Sequence, residues 1–287
     1  MSGNQQGTGT TIVNISPAGA LSLFFQGKGL GLTTALQVLK EGIVTVGNLP
    51  TSDGMCATAQ KGSILVLDKS GNSLSPITDP VLVNGPWDST ALDTGEGFVK
   101  LFVSNVLSGT VARFDLMVNA GGATILSARQ IASGYAHRCD PSALVVGPTG
   151  LVFDSRHDIL YVASTEDNEV FALHGAGGTN HDLGRGVVIY HDDTHLHGPL
   201  AMALAPNGDF LVSNADVINS DPNQPSEIVE FTKHGEFVKQ LSMDPGQGGS
   251  FGLAVATSDD TARFAAVDDN AANLMIWTLD ADFDAPH

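Results

Sequence analysis

Three segments of the chain read as one and the same two-stranded hairpin: GTTIVNISPAGALSLFF (Gly9–Phe25), GSILVLDKSGNSLSPI (Gly62–Ile77) and SEIVEFTKHGEFVKQL (Ser226–Leu241). Each has a short apolar strand, a turn carrying glycine, and a second strand. A unit that cannot bury its own apolar face must stack on copies of itself, so this repeat constrains the architecture before any residue is considered for chemistry. The fullest copy starts at Gly198 and places strands at Leu200–Ala205, Phe210–Asn214, Glu227–Thr232 and Glu236–Leu241. Four short strands joined by hairpins predict one propeller blade.

Further units open at Gly29-Leu30-Gly31, Gly85-Pro86-Trp87, Gly147-Pro148-Thr149-Gly150 and Gly249-Ser250-Phe251-Gly252. Their spacing of about 50 to 60 residues is long for a blade and implies loop insertions. The chain opens on a third-and-fourth-strand hairpin without its first two strands. The last unit supplies three strands (Phe251–Ala256, Arg263–Asp268, Leu274–Leu279) and no readable fourth. The expectation is a single all-β domain over 1–287: a β-propeller of four-stranded antiparallel blades, six-bladed in type with an incomplete N-terminal blade. Five closed blades, with the N-terminal hairpin completing the last unit, is the alternative.

The repeats resemble NHL repeats of the six-bladed propeller superfamily that includes the regucalcin/gluconolactonase enzymes, the paraoxonases and the strictosidine-synthase-like proteins. The resemblance spans nearly the whole chain. It implies an oxygen-held catalytic divalent metal, from a Glu near the start of one inner strand and Asn and Asp in Pro-Asn-Gly and Pro-Asp-Gly openings. Here the matching openings read Pro148-Thr149-Gly150 and Pro199-Leu200-Ala201, so Thr149 and Leu200 replace ligands. Of these openings, the one with Pro86-Trp87 keeps an acid, Asp88.

In a four-stranded meander, the loop before the first strand and the loop joining the second to the third lie on one face. The second strands end on Asn48, Asn105 and Asn214, with Thr165-Glu166 and Asp268-Asp269 at the matching places. Asn48, Asn105, Glu166, Asn214, Asp268 and Asp269 thus form a candidate oxygen ring for a divalent metal, with Ca²⁺ favoured over Zn²⁺ or Mg²⁺. The competing reading is that Asn and Asp cap turns at strand ends. His195 and His197 in His191-Asp192-Asp193-Thr194-His195-Leu196-His197, together with His137, are candidate general bases or metal ligands. Trp87, Asp88, Thr165 and Asp216 are candidate substrate contacts.

A net charge of −18 argues against nucleic-acid or membrane-surface partners. Cys56 and Cys139 are expected to be free thiols, pairing only in an oxidising compartment. No apolar stretch is long enough to span a bilayer, and the start Met1–Gln6 has no signal-peptide character. Low lysine content and an acidic surface suit an exported bacterial protein. No nucleophile elbow, Walker loop, His-Glu-x-x-His or dinucleotide fingerprint occurs. Two functions fit: a metal-assisted hydrolase of small esters, lactones or phosphotriesters at a channel mouth, or a non-catalytic propeller binding a peptide, glycan or protein. A lyase ranks third. A monomer is expected, though the incomplete blade could drive dimerisation.

Overall fold

The computed structural model describes residues 9–258 and 261–280. Met1–Gln6 and His287, to which no role was given, lie outside them. The fold is an all-β propeller with five blades, the count given above as the alternative. The chain divides into two compact units, residues 1–146 with 177–184 and residues 147–176 with 185–287.

In the first unit, β1 (Thr11–Ile15) and β2 (Leu21–Gln26) form a sheet of their own. Blade 1 follows as β3 (Leu32–Val38), β4 (Val44–Leu49) and β5 (Ser63–Leu67), extended by bridges from Ser73 to Leu67 and from Ile77 to Ile64. The N-terminal hairpin therefore does not count as a blade, because it has no inner strands. It instead lays Ile12, Phe24 and Phe25 on Val44, Val46 and Leu67 of blade 1. Gly71 permits this close approach, since a Cβ there would stand 1.9 Å from the Phe24 carbonyl oxygen.

Blade 2 comprises β6 (Pro86–Asp93), β7 (Phe98–Asn105), β8 (Thr110–Asn119) and β9 (Gly122–Ser133). Its alternating Val99, Leu101 and Val103 meet Leu116, Phe114 and Ala112 across the ladder and join Ile64 and Val66 of blade 1 in one core. Each such side chain contributes about 1.5–3 kcal/mol through burial. A two-stranded ribbon, β10 (Arg138–Asp140) with β11 (Leu144–Val146), ends this unit.

The two cysteines are not free thiols. Cys56, in a 3-10 turn (Cys56–Thr58), is disulfide-bonded to Cys139 on β10, with Cα atoms 5.6 Å apart. Their separation of 83 residues gave no sign of this. The pairing exists because the β10–β11 ribbon, which has no counterpart in the repeat template, returns to the 3-10 turn.

The second unit holds three blades. Blade 3 is β12 (Pro148–Asp154), β13 (Ile159–Ser164), β14 (Glu169–His174) and β15 (Val187–His191). Blade 4 is β16 (Pro199–Leu204), β17 (Phe210–Asn214), β18 (Glu227–Phe231) and β19 (Phe237–Ser242). Among the described residues blade 5 has three strands, β20 (Ser250–Ser258), β21 (Thr261–Asp268) and β22 (Asn273–Asp280). All pairings are antiparallel neighbours in sequence. Tyr190 stacks on Phe231 at 4.1 Å, and Phe210 lies beside Tyr161 and Phe231, which ties blades 3 and 4 into one core.

Candidate metal centre in blade 4

A recurring backbone frame sets the positions available for chemistry. In blades 2 to 5 the residue after the second strand donates its N–H to a glycine carbonyl at the head of the first. These bonds are Val106 to Gly85 (2.9 Å), Thr165 to Gly147 (2.8 Å), Ala215 to Gly198 (2.8 Å) and Asp269 to Gly249 (2.9 Å). Every third strand is preceded by a residue with positive φ: Gly62 (84°), Gly109 (63°), Asn168 (55°), Ser226 (55°) and Ala272 (50°). The frame thus turns sharply between the second and third strands, and side chains around that turn face the loop ahead of the first strand.

In blade 4 three such side chains converge. His197 lies just before β16, Asp216 just after β17, and Glu227 opens β18. Nδ1 of His197 is 3.1 Å from Oε1 of Glu227 and 3.9 Å from Oδ1 of Asp216, and the side chains are 2%, 0% and 1% exposed respectively. All three atoms are without a hydrogen-bond partner, and they lie within 4.8 Å of one another. Burying polar atoms with nothing to satisfy them costs about 1–3 kcal/mol each, and more for charged groups.

The rest of each side chain is held firmly. Oδ2 of Asp216 accepts the Ser226 and Gly248 N–H groups at 2.8 and 2.7 Å, which aims Oδ1 at His197. Asn214 accepts the His197 N–H at 3.0 Å and donates to the His195 carbonyl at 2.7 Å and to Oε2 of Glu227 at 3.3 Å. Burial pushes the Glu227 carboxyl above its ordinary pKa, and the Asp216 carboxylate adds to the rise. Its own backbone amide, His197 and Asn214 pull it down by less.

An imidazole nitrogen and two carboxylate oxygens, orphaned and pointing at one another, are a donor set for a divalent cation. First-row metal–ligand distances of about 2.0–2.2 Å put neighbouring ligands roughly 3–3.5 Å apart. The His197–Glu227 separation of 3.1 Å has that spacing and the 3.9 Å to Asp216 is slightly wider, so by donor type and convergence the residues fit a metal ion.

The other sequence candidates fall elsewhere. Asn48 and Asn105 hold backbone ahead of their own first strands: Asn48 accepts the Gly31 N–H (2.7 Å), and Asn105 accepts that of Asn84 (2.8 Å) and donates to the Leu82 carbonyl (3.0 Å). With Asn214 they share one job, fixing the approach to the blade. Thr165 donates to the Pro199 carbonyl at 2.7 Å, Asp268 accepts the Ala271 N–H at 3.0 Å in a turn, Asp269 is exposed and Glu166 is half-buried. In the first unit, Trp87 is buried, Asp88 takes the Ser89 N–H, and exposed His137 sits against the Tyr135 carbonyl. Glu227 was missed. Within SEIVEF it reads as one more polar residue at the start of a repeated strand.

His195 and His197, expected on one side of an extended segment, have different surroundings. The His195 ring stacks on Phe237 at 3.7 Å, and its Nδ1 lies 2.6 Å from Oδ2 of Asp192. That carboxylate also accepts the Tyr190 hydroxyl at 2.9 Å. Burial raises the Asp192 pKa, but His195, the Thr194 amide and Tyr190 outweigh it and hold the group below its ordinary value. A depressed carboxylate pKa contributes stability that is full above the unfolded value near ~4 and disappears as pH falls through the lower folded value. Asp192→Asn should therefore be less stable than the parent at pH 7, with the gap closing on acidification. Urea melts of both chains from pH 7 to 2 check this, and a gap independent of pH would contradict it.

No protein-family model matches the chain, and no curated protein sequence does. Solved structures match at the level of fold. A gluconolactonase from Xanthomonas campestris has 12% identity and a TM-score of 0.59, with 95% of this chain and 79% of that one covered. Streptogramin B lyase has 12% identity and a TM-score of 0.52, covering 97% and 79%. A chain of the nidogen/laminin complex has 14% identity and a TM-score of 0.56, covering 96% and 91%. At such identities the likeness establishes the propeller fold and carries no activity across.

Proposed function

We propose that this chain is a metal-dependent hydrolase of small esters, lactones or phosphotriesters, with His197, Asp216 and Glu227 holding the ion. The observation that carries this reading is the meeting of three buried ligand atoms, none of which has a hydrogen-bond partner. A fold shared with a gluconolactonase supports it. An ion there would polarise a carbonyl or phosphoryl oxygen and lower the pKa of water. Asn214 would keep Glu227 and the His197 backbone in place, and the Ser226 and Gly248 amides would keep Asp216 oriented. The imidazole in the donor set favours a first-row ion such as Zn²⁺ over the Ca²⁺ expected from a ring of oxygens.

The burial of all three ligands favours a second reading, in which the ion is structural and the propeller binds a partner without catalysis. One experiment separates the two. The metal content of the purified protein is measured, and a panel of chromogenic esters, lactones and phosphotriesters is assayed with and without chelator. The hydrolase reading expects bound metal and turnover that chelation abolishes and Zn²⁺ restores. Metal without turnover, with chelation lowering only the melting temperature, supports the second. A protein that takes up no metal overturns both.

A further inference from the structure

Among the described residues blade 5 has three strands where blades 2, 3 and 4 have four, so β19 of blade 4 has no counterpart among them. Between these two sheets lies a groove of about 340 Å³. Leu211, Ile228 and Leu241 line it from blade 4, and Val255, Phe264 and Trp277 from blade 5. Phe264 and Trp277 stack at 5.3 Å, giving one wall a flat aromatic surface. The groove also takes in the Ala205–Asn207 turn, which follows the end of β16, whereas His197 lies ahead of the start of that strand. It is therefore a separate site, at the other end of the blade.

The charged lining has an unusual sign for this protein. It comprises Arg263, Lys239 and Glu230, two cations and one carboxylate, on a chain with 13 basic against 31 acidic residues. Glu230 is already neutralised, with Lys239 Nζ 3.0 Å from its Oε2. Arg263 is exposed, and no acidic side chain pairs with it among the described residues. An apolar groove of this size with one guanidinium that no described carboxylate pairs with is the arrangement that recognises a ligand with an apolar body and an anionic head.

We infer that this groove binds an amphipathic carboxylate, an alkyl or arylalkyl acid with a body of about ten carbons. The body would lie against Leu211, Leu241 and the Phe264–Trp277 pair, and the carboxylate would pair with Arg263, whose planar fork matches it in a two-point contact. This is independent of the metal centre and stands or falls without it.

Trp277 supplies the test. The chain has two tryptophans, and the other, Trp87, is buried in the first unit. Sodium decanoate below its micelle concentration is titrated while tryptophan emission is followed, with decanol, decylammonium and acetate as parallel arms. Decanoate should give a saturable change and acetate none. Arg263→Gln should weaken decanoate about tenfold and leave decanol unchanged. Trp277→Phe should abolish the optical change while calorimetry still detects decanoate within about threefold of the parent affinity. The inference is overturned by non-saturating decanoate, by decylammonium binding as tightly as decanoate, by an unaffected Arg263→Gln, or by an optical change that survives Trp277→Phe. Because Arg263 is exposed, its variant should melt like the parent, and calorimetry on it decides the matter even if Trp277→Phe does not fold.

Discussion

Glu227→Gln should bind Zn²⁺ at least about a hundredfold more weakly than the parent, yet be more stable than the parent when no metal is added. The weakening follows from losing an inner ligand, since even outer partners of metal ligands are worth about 10–100-fold in affinity. The gain without metal follows from the environment of the carboxyl. Burial and the Asp216 carboxylate both oppose its charge, and an amide of the same shape removes that opposition. At a thousandfold excess over its Kd, an ion that binds only the folded state adds about 4 kcal/mol. In a domain of this size that is on the order of 10 °C in Tm. Thermal melts of both chains with chelator and with Zn²⁺ check the two halves together. Equal Zn²⁺-induced shifts in parent and variant would show that the ion is bound elsewhere.

Replacing both Cys56 and Cys139 by serine should lower stability by about 4–5 kcal/mol, the loop-closure entropy expected for a bridge spanning 83 residues. The Cα separation of 5.6 Å lies within the range a disulfide accepts. Both cysteines lie in the unit containing residues 1–146. Denaturant unfolding of the parent with and without reductant, beside the double serine variant, measures it. If reductant leaves the midpoint unchanged in the parent, the bridge does not contribute as drawn. A disulfide of this kind persists in an oxidising compartment, which is the setting where the expression of the protein is best compared.

Much of the fold was legible because blade strands are short, alternate in polarity and end on turn residues. The strand expected at Phe210–Asn214 is β17 to the residue, and Glu227–Thr232 and Glu236–Leu241 differ from β18 and β19 by one position. The missing fourth strand of the last unit was also readable among the described residues. The β10–β11 ribbon was not, since Arg138–Asp140 and Leu144–Val146 are three residues each and follow no repeat. Without that ribbon the disulfide could not be foreseen.

The candidate site was legible in part for a similar reason. His197 and Asp216 were singled out by local composition and by their place on the blade. Glu227 belongs with them only through the pairing of β17 with β18, which a pattern of polar and apolar letters does not express. The strand-ending Asn residues drew attention as oxygen donors, but the side-chain oxygens of Asn48, Asn105 and Asn214 each accept a backbone N–H. Recurrence in several blades was a mark of their structural duty.

The shared bond from second strand to leading glycine lets the blades be compared position by position. Where blade 4 has His197, Asp216 and Glu227, blade 2 has Asn84, Leu107 and Thr110, blade 3 has Val146, Glu166 and Glu169, and blade 5 has Gly248, Asn270 and Asn273. The scaffold is therefore common property, and the proposed ion site is a three-letter inscription on one copy of it. Drift at those letters can erase the chemistry from a lineage, or write it into a neighbouring blade, while the architecture carries on undisturbed.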